Sequence, residues 1–199
     1  MMIVPIYVID VNEIDTELII NSNFFSNEEK TSLDKFKDEE TRKEKIVSLY
    51  LKKKYVGDFS IDEHGKPLSE NTFFNVSHSH GLVMLALSKE CPIGIDLELV
   101  RPVEQKLINY VTSEEERKEI KEVKDFFKIW TSKESLLKAI GTGIDKKLDQ
   151  VPSLPINGEK RYLNKTCVSK TVEYNKFIVS VTIEADEKID FELEFERAK

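Results

Sequence analysis

The chain has 199 residues, of which 40% are hydrophobic and 34% charged, with a net charge of −7. That length suits one large domain or two small ones with a real core, and charge dispersed among apolar segments excludes a disordered chain. The negative balance excludes non-specific nucleic-acid binding, which needs a basic surface. Ile3 to Ile9 is β-rich and predicts a first strand. It lacks the basic flank and small-residue cleavage site of a signal peptide, and Asp10 follows at once. No stretch is long and apolar enough to cross a bilayer. Cys91 and Cys167 lie far apart, outside any metal-ligand spacing, and read as reduced thiols. The expectation is a cytoplasmic protein without membrane contact.

Ser26 followed by Glu29 predicts a capped helix start, and Thr112 followed by Glu115 a second one. Glu39 to Val56 is helical by the spacing of Ile46, Leu49, Tyr50 and Lys53, with Gly57 as C-cap. Asp62 to Ser69 reads as a loop. Three strand-like runs follow at Phe73–Ser77, Leu82–Ser88 and Ile93–Val100, separated by Gly81 and by Cys91-Pro92. Arg101-Pro102 is the predicted boundary between a first half, 1–101, and a second half, 102–199. Lys124 to Ile140 is the strongest helix and Gly141 ends it. The tail alternates Phe177, Val179, Val181 and Ile183, then Ile189, Phe191, Leu193 and Phe195, with charged residues between the latter set. That period predicts half-exposed antiparallel strands.

Chemistry concentrates in three places. In a strand over Gly94-Ile95-Asp96-Leu97-Glu98, Ile93, Ile95, Leu97 and Leu99 form one face, and Gly94, Asp96 and Glu98 the other. Two carboxylates at i and i+2 lie roughly 7 Å apart along a strand and can converge on one cation. Taken alone, the pair reads more simply as a solvated polar face. In the helix, Glu134 falls on the apolar stripe of Phe126, Phe127, Trp130, Leu137 and Ile140. An acid there is costly unless paired, with Lys138 at i+4 as the simple partner, or metal-bound. Three carboxylates make an all-oxygen donor set that suits Mg²⁺, whereas no Cys/His set suits zinc. Lys66, His78, Lys133 and Lys138 are the nearby cations for a phosphate ligand. The third place, Asn75-Val76-Ser77-His78-Ser79-His80, runs a strand into a polar turn. No Walker loop, dinucleotide fingerprint or nucleophile elbow is present.

Taken in order, Gly65-Lys66-Pro67, Phe74-Asn75-Val76-Ser77-His78-Ser79, Gly94-Ile95-Asp96-Leu97-Glu98, Trp130-Thr131-Ser132-Lys133-Glu134-Ser135, Lys138 and Gly141-Thr142-Gly143 resemble the 4′-phosphopantetheinyl transferases of the surfactin-synthetase-activating type. The resemblance implies an α+β (α/β) fold of two similar, pseudo-symmetric halves, each a small antiparallel-rich sheet packed with helices, with coenzyme A (CoA) in the cleft between them. It implies magnesium on Asp96, Glu98 and Glu134, with Glu134 and Lys138 catalytic. It also implies that Lys66, Pro67, Ser77, His78, Lys133 and Lys138 face CoA. Glu115 matches a glutamate of the family's second half. Where the family carries basic residues for the 3′-phosphate of CoA, Asn27–Lys35 is acidic, and Arg42 and Lys43 are the substitutes. The implied partners are CoA and an acyl or peptidyl carrier protein docked on Lys52–Lys54 or Lys146-Lys147, and one chain as a monomer suffices to build the cleft. Two readings compete: a magnesium-dependent CoA or nucleotide pyrophosphohydrolase, and a non-catalytic homologue that binds CoA or a carrier.

Overall fold

The computed structural model describes residues 1–62, 67–143, 147–185 and 189–198. Strand β1 (Met2–Asp10) is followed by helices α1 (Thr16–Asn21), α2 (Asn27–Leu33) and α3 (Glu39–Tyr55). A two-stranded hairpin, β2 (Ser60–Ile61) with β3 (Pro67–Leu68), precedes β4 (Phe73–Ser79) and β5 (Leu82–Ser88). Part of the expected 62–69 loop is thus strand. The chain continues with β6 (Ile93–Leu99), α4 (Gln105–Val111), α5 (Glu114–Glu119) and α6 (Val123–Ile140). Strands β7 (Gly158–Tyr162), β8 (Lys165–Tyr174), β9 (Phe177–Glu184) and β10 (Phe191–Arg197) complete it.

Local chemistry explains the helix ends. Ser26 accepts from the Glu29 amide while Glu29 bonds back to the Ser26 amide, the reciprocal box expected at α2. At α5 the box is Ser113 with Glu116, one residue later than the sequence reading, and Glu115 is left exposed. Gly141 stops α6 with φ 77°, a conformation that glycine adopts without strain.

The strand orders are β10-β1-β5-β4 and β6-β9-β8-β7. Within them a strand, three helices and a hairpin occur twice. β1 pairs with β5 and β5 with β4, all antiparallel; β6 pairs with β9 and β9 with β8 in the same sense. The repeat is a feature of topology, and its second copy opens at β6, ahead of Arg101. The strand carrying Asp96 and Glu98 therefore belongs to the second sheet, and β10 crosses back to the first. One apolar core joins the sheets, with Ile6, Val8, Met84 and Phe191 from one meeting Ile95, Leu97 and Val181 from the other.

Two features of the tail differ from expectation. β10 runs parallel to β1, pairing Met2 with Phe191 and Ile6 with Phe195. Alternation reports which face is buried but not strand sense. β9 is buried on both faces, because its Ser180 and Thr182 lie beneath α6. Thr131 and Ser135 of α6 bond to them, each at 2.7 Å, which lets a polar strand face sit in the interior.

Candidate active site at the seam of the two sheets

β4 and β6 are edge strands of different sheets, and they meet through side chains. Asn75 Oδ1 accepts from the Ile95 amide at 3.0 Å, and Ser77 Oγ accepts from the Leu97 amide at 3.4 Å. Short polar side chains of β4 thus satisfy backbone donors on the open edge of β6. The same row reaches the carboxylates. Ser77 Oγ donates to Asp96 Oδ1 at 3.0 Å, and Ser79 Oγ to Glu98 Oε2 at 3.1 Å.

Helix α6 covers this strand at Gly94. A Cβ there would overlap Ser135 O and Ala139 N of the helix backbone. Only glycine allows that approach, which brings Glu134 and Lys138, one turn apart, over Asp96. Lys138 Nζ lies 2.7 Å from Asp96 Oδ1 and donates also to Ser77 Oγ and the Ile95 carbonyl, each at 3.1 Å. The predicted Glu134–Lys138 pair is replaced by a Lys138–Asp96 pair. Arg101 Nη1 lies 3.2 Å from Glu98 Oε2.

Glu134 is buried, and its carboxyl is pushed up to about 7 by burial and by the charges of Asp96 and Glu98, against the pull of Lys138. Glu98 is raised by burial and by Asp96, against hydrogen bonds from Ser79 and Arg101. Three carboxyls that repel one another are what a dication relieves. Among the described residues no three Asp, Glu, His or Cys side chains are arranged to hold a metal as they stand. Asp96 Oδ2, however, is buried without a hydrogen-bond partner. An orphaned carboxylate oxygen beside two destabilised carboxyls fits a hard cation with oxygen ligands.

Beside the seam lies a cleft of about 400 Å³ lined by Lys45, Lys52, Pro67, Asn75 and His78 among others. His78 Nδ1 stands 2.7 Å from Glu44 Oε2, which leaves Nε2 to accept from Lys45 Nζ at 3.0 Å. Burial alone would raise the Glu44 carboxyl, but hydrogen bonds from His78 and the Gly81 amide hold it below its ordinary value. Burial, then the charge of Lys45, pushes the Lys52 ammonium down.

The structure therefore brings together Ser77, Asp96, Glu98, Glu134 and Lys138, and places His78 and Pro67 on the adjoining cleft. It does not bring Lys133 there. Lys133 is fully buried and donates to Glu116 Oε2 (2.6 Å), Leu148 O (2.7 Å) and Val111 O (2.8 Å), so all three of its donors are used. Adjacent positions on a helix point about 100° apart, so Lys133 leaves the side of α6 that carries Glu134 and Lys138. Arg42 is likewise engaged elsewhere, with Glu17 at 2.8 Å and Asp34 at 3.1 Å, and Lys43 pairs with Glu39. Lys53 is held by Glu29, and Lys147 is exposed. Lys66 and Lys146 lie outside the described residues. Sequence reasoning missed Lys45, Glu44, Arg101 and Glu116, and read Lys52 as part of a carrier-docking patch rather than of the cleft wall. Lys45 and Lys52, seven apart on α3, carry the one signal that could have flagged a cationic helix face.

Residues 92–182 match a family model described as the 4′-phosphopantetheinyl transferase superfamily. Similar proteins include the 4′-phosphopantetheinyl transferase gsp of Aneurinibacillus migulanus, 37% identical over 43% of this chain and 39% of that protein. HetI of a Nostoc species is 34% identical over 44% and 43%, and Sfp of Bacillus subtilis 32% over 46% and 44%. Each match spans less than half the length of the relative. The stretch of this chain that holds Asp96, Glu98, Glu134 and Lys138 thus matches the 4′-phosphopantetheinyl transferase superfamily, the family its motifs resemble.

Proposed function

We propose that this chain transfers 4′-phosphopantetheine from CoA to a serine of an acyl or peptidyl carrier protein and releases 3′,5′-ADP. The observation that carries the reading is the constellation of Asp96, Glu98, Glu134 and Lys138 at the β4–β6 seam, inside the matched stretch. Asp96, Glu98 and Glu134 would hold a divalent cation, magnesium by the hardness of the donor set. When bound, that cation neutralises charge developing on the pyrophosphate.

The rest of the work falls to the chain's own groups. Lys45 and Lys52 form the cationic wall of the cleft, with His78 beside them, and take the phosphates of CoA, in the role the sequence suggested for Arg42 and Lys133. Lys138 offers its ammonium to the reacting phosphate. The serine oxygen attacks the β-phosphorus, the bond to the ADP oxygen breaks, and Glu134 accepts the serine proton. Positioning and electrostatics account for most of such a transfer. Both sheets contribute to the site within one chain, which supports a two-lobed monomer, divided at β6 rather than at Arg101 if topology is followed.

The deciding experiment is the intact mass of an apo carrier after incubation with this protein, CoA and Mg²⁺, with and without EDTA. The expected result is a metal-dependent gain of one phosphopantetheine that Glu134→Gln abolishes with the fold retained. CoA cleavage without a carrier would point to the pyrophosphohydrolase instead, and CoA binding without turnover to a non-catalytic homologue.

A further inference from the structure

Both strand carboxylates of the seam already have a protein cation. Lys138 lies 2.7 Å from Asp96 Oδ1, and Arg101 lies 3.2 Å from Glu98 Oε2. The Lys138–Asp96 pair is the more buried, with side chains 28% and 8% exposed. Its fit is incomplete, because Lys138 spends its other donors on Ser77 Oγ and the Ile95 carbonyl while Asp96 Oδ2 stays buried and bare. Asp96 is 6% exposed, so water does not readily supply the missing partner.

We propose that Lys138 is a built-in counter-ion that competes with the divalent cation for Asp96 and leaves Asp96 Oδ1 when the cation enters. The inference rests on the phosphopantetheinyl transfer proposed above, since the released ammonium then meets the substrate phosphate. Three features of the site lead to it. A dication and an ammonium on one carboxylate repel each other strongly where water is scarce. Lysine is a point charge on a flexible stem, so it can swing where an arginine fork would stay. Its remaining partners, a hydroxyl and a carbonyl, are neutral and hold it only modestly. Metal entry and readiness for phosphate thereby become one event, because the site cannot present Lys138 while Asp96 lacks its cation.

The test uses Mn²⁺ as the probe, without CoA, at fixed pH and ionic strength, with free Mn²⁺ read by electron paramagnetic resonance. Lys138→Met should bind Mn²⁺ at least about tenfold tighter than the wild type, the scale on which neighbours of metal ligands act. Equal or weaker binding by a folded variant overturns the proposal. A second measurement needs no variant: acetic anhydride labelling of Lys138 in the wild type, followed by peptide mass. Mn²⁺ should raise the Lys138 labelling rate several-fold while buried Lys133 stays unlabelled. An unchanged rate at Mn²⁺ concentrations up to those that drive carrier modification overturns it. A chain that modifies a carrier but shows neither effect loses this inference alone. One that shows both effects and modifies no carrier loses only the transferase reading.

Discussion

The backbone of Ser135 occupies the space that a Cβ on Gly94 would need. The carboxylates of β6 and the acid–base pair of α6 are therefore positioned by the absence of one side chain. Overpacking costs about 1–3 kcal/mol in ordinary cores, and more where the obstacle is backbone that cannot rotate away. Gly94→Ala should lower stability by at least about 2 kcal/mol on that scale. It should also lower transfer more than the stability loss explains, because α6 must shift away from β6. Denaturant unfolding alongside carrier modification checks this. A variant as stable and as active as the wild type would mean that the strand and helix are not in such close contact.

Lys133 separates a structural lysine from a ligand-binding one. Its ammonium is pulled down by burial, against the pull of Glu116, and is bonded to α5, to the end of α4 and to the Leu148 carbonyl. Glu116 is also held by Ser153 at 2.6 Å. Removing one member of a buried pair typically costs about 3–5 kcal/mol, because the other is left charged and unpaired. Lys133→Met should lose stability on that scale, and Lys133→Met with Glu116→Gln should regain part of it. The Michaelis constant for CoA should stay near that of the wild type in the folded double variant. A large rise in that constant with stability unchanged would restore the phosphate-binding role.

The cleft beside the seam makes the converse prediction. Lys45→Ala and Lys52→Ala each remove a cation from the wall that faces His78. A charge-assisted phosphate contact is worth about 1.5–3 kcal/mol, so each should raise the Michaelis constant for CoA by roughly tenfold or more. Arg42→Ala, whose fork is occupied by Glu17 and Asp34, should leave that constant near wild type. Steady-state titrations of CoA at constant carrier decide between the two sets.

The contrast between these lysines shows where the sequence was readable. The strand at 93–99, the helix ending at Gly141 and the acid inside its apolar stripe follow from period and capping chemistry, which are local. The meeting of Asp96 with Glu134 is different: the sequence offers Gly94 only as room beside the strand carboxylates, and that the α6 backbone fills that room is a tertiary fact. Lys133 and Lys138 could not be sorted in the same way. Both lie in one motif, and only the packing of α4, α5 and the 148–153 segment reveals that Lys133 points into protein. The parallel sense of β10 and the buried hydroxyl face of β9 are likewise tertiary facts. Alternation in the tail reports a buried face, but not which strand or helix covers it.

Lys160 offers a pH test that is independent of the site. It pairs across β7–β8 with Cys167 and is almost fully buried, and its ammonium donates to Ile156 O at 3.3 Å. Burial pushes its ammonium down from 10.5 to about 8, against a smaller opposing effect of Cys167. Below pH 8 the lysine is charged in both folded and unfolded chains, so the fold bears the full cost of burying that charge. Between about 8 and 10.5 the unfolded chain still binds the proton while the folded chain releases it, and stability rises with pH through this window. The shift corresponds to roughly 3 kcal/mol. Lys160→Met should therefore be more stable than wild type at pH 7, by an amount approaching that figure. The gap should shrink between pH 8 and 10, as wild type gains stability that the variant already has. Parallel denaturant melts at pH 7 and pH 10 check both statements, and a variant less stable at pH 7 would show that the methylene stem and the Ile156 contact outweigh the buried charge.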